Sequence, residues 1–304
     1  MSVVLPMAMK TAIELDVFDI IAKAGPGAKL SALEIATQIP TRNPNAPTML
    51  DRILRLLVSY CVLDCSVSDW KRMYGLSPVS KYFVSNNQDD GVSLSPYLVL
   101  PLQSDFLESW PLLKDAIIEG GIPFNKVHGM HFFEYLAVNK KLNYVYNKAM
   151  FNHTTIVMKR TLETYKGFEQ LKQPVDVGGG LGMTLYLITS KYPHIKAINF
   201  DRLMLSRTPH HILWILNCWK DEHCLKLLKN CYKAIPEDGK VIVMNAIMPA
   251  VPEINDAARD TTLVHVNLLI KDDGATERTK EEFMALATGS GFKEGGAVEQ
   301  KHQA

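Results

Sequence analysis

Val175-Asp176-Val177-Gly178-Gly179-Gly180-Leu181-Gly182 is an apolar run that enters a glycine-rich turn. A helical stretch from Met183 to Tyr192 follows, and Ile198-Asn199-Phe200-Asp201 then reads as a second short strand ending in an acid. A carboxylate about 20 residues past the glycines is the spacing at which a βαβ unit brings an acid to a ribose 2′-hydroxyl. Glycines let the backbone approach a ligand closely and leave amides at the helix start free to donate. A tight strand-to-helix turn without a ligand would account for the glycines alone. Asp201 at this offset shifts the reading to an adenosine site formed by Gly178, Gly180 and Asp201.

A dinucleotide fingerprint counted from Gly178 and Gly180 would place Gly or Ala at Met183. The pattern is instead D-x-G-x-G-x-G, led by Asp176, and it is similar to the first motif of S-adenosyl-L-methionine (SAM) methyltransferases, in which no pyrophosphate has to fit. SAM is favoured over NAD.

At 304 residues the chain has room for about two domains of roughly 150 residues each. A 47% apolar content can bury ample core, and a formal net charge of +1 gives no field pointing to nucleic acid or membrane. Cys61, Cys65, Cys218, Cys224 and Cys231 are odd in number and lie mostly in helical or strand-like patterns. Reduced thiols in a cytoplasmic protein are expected. A lone CxxxC spacing does not make a metal pair. No apolar run nears about 18 residues, and no charged-then-apolar signal opens the chain.

Outward from the glycine turn, the first part reads as helices. Pro6 to Ala24 carries apolar residues at helical spacing, Ser31 to Glu34 has capping-box form ahead of a short helix to Ile39, and Thr48 to Leu63 is strongly amphipathic. Tyr74-Gly75-Leu76 and Lys81-Tyr82-Phe83-Val84 suggest a small hairpin, giving a winged-helix-like whole. Arg52, Arg55, Lys71 and Arg72 are too few for a DNA reading, so packing or dimerisation is expected. Ile13, Phe18, Ile21, Leu54 and Leu57 offer more apolar surface than three short helices bury alone, which points to association. Pro96 to Gly121 and Phe132 to Tyr165 read as longer helices. The α/β part begins near Lys172, with strands at 174–177, 197–201 and Lys240 to Ile247, a strand-like Ile212 to Leu216, and helices at 181–192, Asp221 to Ile235 and from Thr279 to about Thr288.

Along nearly its whole length the chain resembles plant caffeic-acid-type O-methyltransferases. The resemblance is carried by Asp51 to Leu57, Glu119 to Lys126, Val175 to Gly182, Ile198 to Asp201, Asp221 to Cys224 and Glu277 to Thr279. It implies a winged-helix-like dimerisation domain at residues 1–115, a homodimer, and a Rossmann-like SAM-binding domain at 116–304. It further implies a donor contact at Gly178, a ribose ligand at Asp201, a methionine clamp on the acceptor ring at Met150, and a pocket wall of His153, Leu100, Phe106, Leu136 and Tyr146.

The departures from the family pattern matter more. The family's general base is a His in a Trp-Ile-Cys-His-Asp-Trp segment; here the segment is Trp214-Ile215-Leu216-Asn217-Cys218-Trp219, so Asn217 stands in its place. An amide takes no proton at neutral pH. Of the two acids that orient the base, Asn245 replaces the first and Glu277 is the second. Pro101 and Leu136 stand where the resemblance places an Asn and a His. Only twelve residues, Arg202 to Leu213, separate Asp201 from Trp214. A βαβ unit needs about 30, so the family's helix and adenine-binding strand are missing there. Lys293 to Ala304 lacks the family's closing strands.

The sequence therefore predicts a SAM-dependent methyltransferase fold acting on a small aromatic acceptor, preferably an amine of anthranilate- or quinolone-like type. O-methylation of a phenol is one rival reading, and a catalytically inactive dimer partner or the product of a damaged gene is the other.

Overall fold

The computed structural model describes residues 3–85, 91–180, 182–200, 215–237, 239–272 and 274–293. The described residues fall in two compact units, within Met1–Leu107 and Lys140–His211 and within Glu108–Asn139 and Ile212–Ala304.

The expected first helix is two, α1 (Val4–Glu14) and α2 (Val17–Lys23). They part at Asp16, whose φ of 54° is the left-handed conformation that Asp tolerates. A short β1 (Lys29–Ser31) leads into α3 (Ala32–Ala36), where Ser31 and Glu34 form the expected reciprocal cap. Then come α4 (Ala46–Ser59), β2 (Leu63–Ser68) and β3 (Lys71–Leu76), with the antiparallel sheet ordered β1-β3-β2.

This corrects the expected hairpin. Its strands are β2 and β3, joined through Asp69 and Trp70 at φ 48° and 62°, and Ser80–Phe83 is a 3-10 turn. Positive φ at both central residues is the type I′ geometry that matches strand twist. Asp-Trp without glycine does not advertise it. A second correction concerns the surplus apolar surface. Phe18, Ile21, Leu54 and Leu57 are at most 1% exposed and pack with Ile35, Leu63 and Tyr74 inside this unit. Each such side chain contributes about 1.5–3 kcal/mol to its own fold. Asp51 on α4 accepts from Arg72 Nε at 2.9 Å, Arg72 Nη2 at 2.8 Å and the Tyr74 hydroxyl at 2.6 Å, which ties helix to sheet and holds the Asp51 carboxyl below its ordinary pKa.

Pro96 to Gly121 is not one helix. It divides into α5 (Ser95–Val99), α6 (Ser104–Leu107) and α7 (Leu113–Glu119), with 3-10 turns at Leu100–Leu102 and Trp110–Leu112. Pro101 and Pro111 sit in those turns, where a missing N–H costs least. Next are α8 (Pro123–His128), α9 (Phe132–Val138) and the 25-residue α10 (Lys140–Thr164), the last two separated at Asn139.

Parallel strands β4 (Val175–Val177) and β5 (Ile198–Phe200) flank α11 (Met183–Lys191), with Asp176 opposite Asn199. The remaining helices are α12 (Asp221–Ala234), α13 (Asp256–Lys271), which the sequence reading did not anticipate, and α14 (Lys280–Gly289), capped by Thr279 and Glu282 as expected. The strand expected at Lys240 to Ile247 is not formed, since none of residues 240–249 lies in a ladder. Apolar alternation makes a strand only beside a partner edge, and among the described residues there is none here. Ile242 and Val243 are accordingly 37% and 45% exposed. Ile215–Asn217 is a 3-10 turn rather than strand-like. Among the described residues no helix is long and apolar enough to cross a membrane and no side-chain group could hold a metal; the five cysteines are free.

Candidate functional site

The glycine turn is built as its sequence suggests. Gly178, Gly180 and Gly182 have φ of 83°, 54° and 78°, conformations closed to most side chains. The Gly178 N–H donates to Phe200 O at 2.9 Å and the Gly182 N–H to Gly179 O at 2.8 Å. Asn199 Nδ2 donates to Gly180 O at 2.8 Å. A Cβ on Gly179 would fall 2.4 Å from Asn199 Oδ1 and from Asp176 Oδ2. The turn is thus closed by Asn199, a residue that motif counting passed over.

Because the Gly178 and Gly182 amides are already used, any contact from Gly178 to a ligand comes through its carbonyl. A carbonyl suits the ammonium of an amino-acid-bearing ligand such as SAM. The turn therefore fits SAM in kind. Asp201 lies outside the described residues.

The expected acceptor wall in the first unit is carried by α10, where Tyr146, Met150 and His153 follow one face at i, i+4 and i+7. Tyr146, Leu100 and Phe106 are buried, and Met150 and His153 partly so. The His153 ring stacks on Tyr97 with centroids 4.5 Å apart, and burial pushes its pKa down to about 4, leaving a neutral imidazole. Leu136, in the second unit, is 1% exposed on α9.

In that second unit the three expected catalytic positions meet. Asn217 Nδ2 donates to Glu277 Oε2 at 2.5 Å, and Asn245 Nδ2 donates to Asn217 Oδ1. An ionised carboxylate only accepts, so Glu277 faces the NH₂ side of Asn217 and turns Oδ1 toward Asn245. Asn217 and Glu277 are 4% and 6% exposed. Burial raises the Glu277 pKa to about 7, against the opposing pull of the Asn217 hydrogen bond and the Lys271 charge.

Backbone and side-chain bonds hold these groups in register. The Thr276 N–H donates to Asn217 O at 2.9 Å, and the Glu277 N–H donates to His265 Nδ1 at 3.2 Å. Arg278, 2% exposed, donates to the Leu216 carbonyl, to Trp219 O at 2.8 Å and to Asp221 Oδ1 at 2.6 Å. It clamps the segment that bears Asn217. Beside it, burial pushes the Cys218 thiol up to about 11, so it stays protonated and inert. Lys271 at the end of α13 holds its Nζ 5.7 Å from the centre of the Phe132 ring, and His131 Nε2 lies 3.4 Å from Asp272 Oδ2. No motif in the sequence marks Lys271, Arg278 or His265 as part of this cluster.

Residues 1–86 match the profile of the O-methyltransferase dimerisation domain. Residues 110–211 and 206–293 match the O-methyltransferase domain, in two stretches that join within the short span after Asp201. The chain is 55% identical to an anthranilate N-methyltransferase of Ruta graveolens over 96% of its own length and 86% of the relative's. It is 49% identical to caffeic acid 3-O-methyltransferase 1 of Populus kitakamiensis, over 95% and 86%. Among solved structures it is similar to human N-acetylserotonin methyltransferase in complex with SAM (TM-score 0.74, 20% identity, 95% and 88% covered). It is also similar to a methyltransferase of calicheamicin biosynthesis (TM-score 0.78, 20% identity, 96% and 89% covered).

Proposed function

The chain belongs to the O-methyltransferase family, and we propose that within it this methyltransferase moves the methyl group of SAM to the nitrogen of a small aromatic amine. Residues 1–115 would serve homodimerisation and 116–304 the transfer. The observation that carries the reading is Asn217, bonded to Glu277 and Asn245 where the resemblance expects a histidine base.

When bound, SAM supplies an electrophilic methyl group on a positive sulfur. A phenol has a pKa near 10, so about one molecule in a thousand is the reactive phenolate at pH 7. O-methylation therefore gains from a base, worth about 10²–10⁴ in rate. An aromatic amine is neutral at pH 7 and its lone pair is already available. It needs orientation, which fixed hydrogen-bonding groups supply.

Asn217 Oδ1 has one lone pair engaged by Asn245 and keeps a second that can accept the amine N–H. Its orientation is held from both sides. After transfer the nitrogen carries a positive charge and sheds a proton, and Glu277, with a pKa raised to about 7, is a suitable acceptor for it. The relative named for anthranilate, an aromatic amine, supports the same acceptor type. The test is a matched pair of acceptors, 2-aminobenzoate and 2-hydroxybenzoate, assayed with the parent and with Asn217→His. The amine should be the better substrate of the parent, and the histidine should move the preference toward the phenol. Equal or faster phenol methylation by the parent defeats the reading. Binding of SAM without turnover of either acceptor supports an inactive dimer partner instead.

A further inference from the structure

We propose that Lys271 is the specificity-determining residue for the acceptor, holding a carboxylate carried on the aromatic ring, so that the substrate class is an aromatic amino acid of anthranilate type rather than a neutral quinolone-like amine. This rests on the methyltransferase reading and deepens it at the same cluster.

Lys271 ends the 16-residue α13, and its partly buried side chain folds inward with Nζ over the Phe132 ring at 5.7 Å. Among the described residues it makes no ion pair within 4 Å and no hydrogen bond. Burial works against its charge, and the Cys218, Glu277 and Asp272 groups act on it electrostatically, so the ammonium shares the electrostatic neighbourhood of the Asn217–Glu277 pair. The Asp272 carboxylate adds to the field that favours the ammonium but makes its contact with His131 Nε2, at 3.4 Å, and not with Lys271 Nζ.

A cation drawn out of water without a contacting anion is costly and is normally matched by a counter-charge. The C-terminal end of α13 and the face of Phe132 offset part of that cost. Neither gives the directed N–H···O bonds an ammonium prefers, which a carboxylate would. A ring that carries an amine and a carboxylate on adjacent carbons could thus engage Asn217 and Lys271 together. Binding would also neutralise the cation that holds the Glu277 pKa down, leaving Glu277 a better proton acceptor.

The experiment compares 2-aminobenzoate with its methyl ester on the parent, Lys271→Met and Lys271→Arg. The parent should favour the acid in kcat/KM by tenfold or more. Lys271→Met should raise the KM for the acid by about 10–100-fold and that for the ester at least tenfold less, and Lys271→Arg should recover most of the loss. Equal effects on acid and ester, or no change in the acid's KM, overturn the proposal. If the parent prefers 2-hydroxybenzoate, the nitrogen reading falls, and the same comparison on that acid and its ester decides Lys271. If nothing turns over, calorimetric titration of 2-aminobenzoate decides it: tenfold tighter binding to the parent than to Lys271→Met supports the assignment, and equal binding removes it.

Discussion

Asn217 donates through Nδ2 to Oε2 of Glu277 at 2.5 Å, across 60 residues of sequence. Both are buried, and the carboxylate decides which way the amide faces. Glu277 is therefore the anchor of the site as much as its proton acceptor.

The pKa of Glu277 gives a pH-dependent stability of definite sign. Below about pH 4.5 both folded and unfolded chains hold its proton. Between 4.5 and 7 the unfolded chain releases it while the folded chain keeps it, so folding stability falls as pH rises, and above 7 the loss is complete. For so buried a group the loss is on the order of 3 kcal/mol. Glu277→Gln removes the titration. Urea denaturation from pH 5 to 8 should show the parent losing stability relative to that variant, and parallel curves would refute the assignment.

Arg278 should be worth more to the fold than a surface cation. Its guanidinium reaches two carbonyls and Asp221 from a buried position, and charge-assisted bonds contribute about 1.5–3 kcal/mol each at most. Arg278→Met should cost about 2–4 kcal/mol in denaturation, and Arg278→Lys should recover little of it because the fork geometry is lost. A variant as stable as the parent would show that the segment bearing Asn217 is held by other means.

In the N-terminal part, Leu54→Asp and Leu57→Asp should unfold the protein rather than release folded monomers. Both leucines are fully buried in the unit's own core, and a carboxylate there has no counter-charge. A soluble monomer with the parent's circular dichroism would contradict this. It would return these residues to an interface.

The donor turn makes its own prediction. Gly179→Ala places a methyl group against Asn199 and Asp176, which must shift, breaking the bond from Asn199 Nδ2 to the Gly180 carbonyl. SAM affinity by calorimetry should fall at least tenfold, and Asp201→Ala should abolish what binding remains. Unchanged affinity in both variants would place the donor elsewhere.

What the sequence made legible followed physical regularities. Repeated glycines with an acid at a fixed offset announced β4, α11 and β5, and the Ser31 and Thr279 caps announced their helices. The β2–β3 hairpin escaped notice because its turn uses Asp69 and Trp70 in place of glycine. The 240–247 run alternated like a strand, yet alternation cannot supply a neighbouring edge. Asn217, Asn245 and Glu277 were legible through a family resemblance. Lys271 and Arg278 were not, because a charged residue at a helix end, or just before a helix cap, reads as solvated until its neighbours are known.

The most direct test of the account is the ratio of amine to phenol methylation by the parent chain, measured on 2-aminobenzoate and 2-hydroxybenzoate under single-turnover conditions. With Asn217 in place of a base, the amine should react faster by at least two orders of magnitude, and Asn217→His should narrow the gap. A ratio at or below one would contradict it.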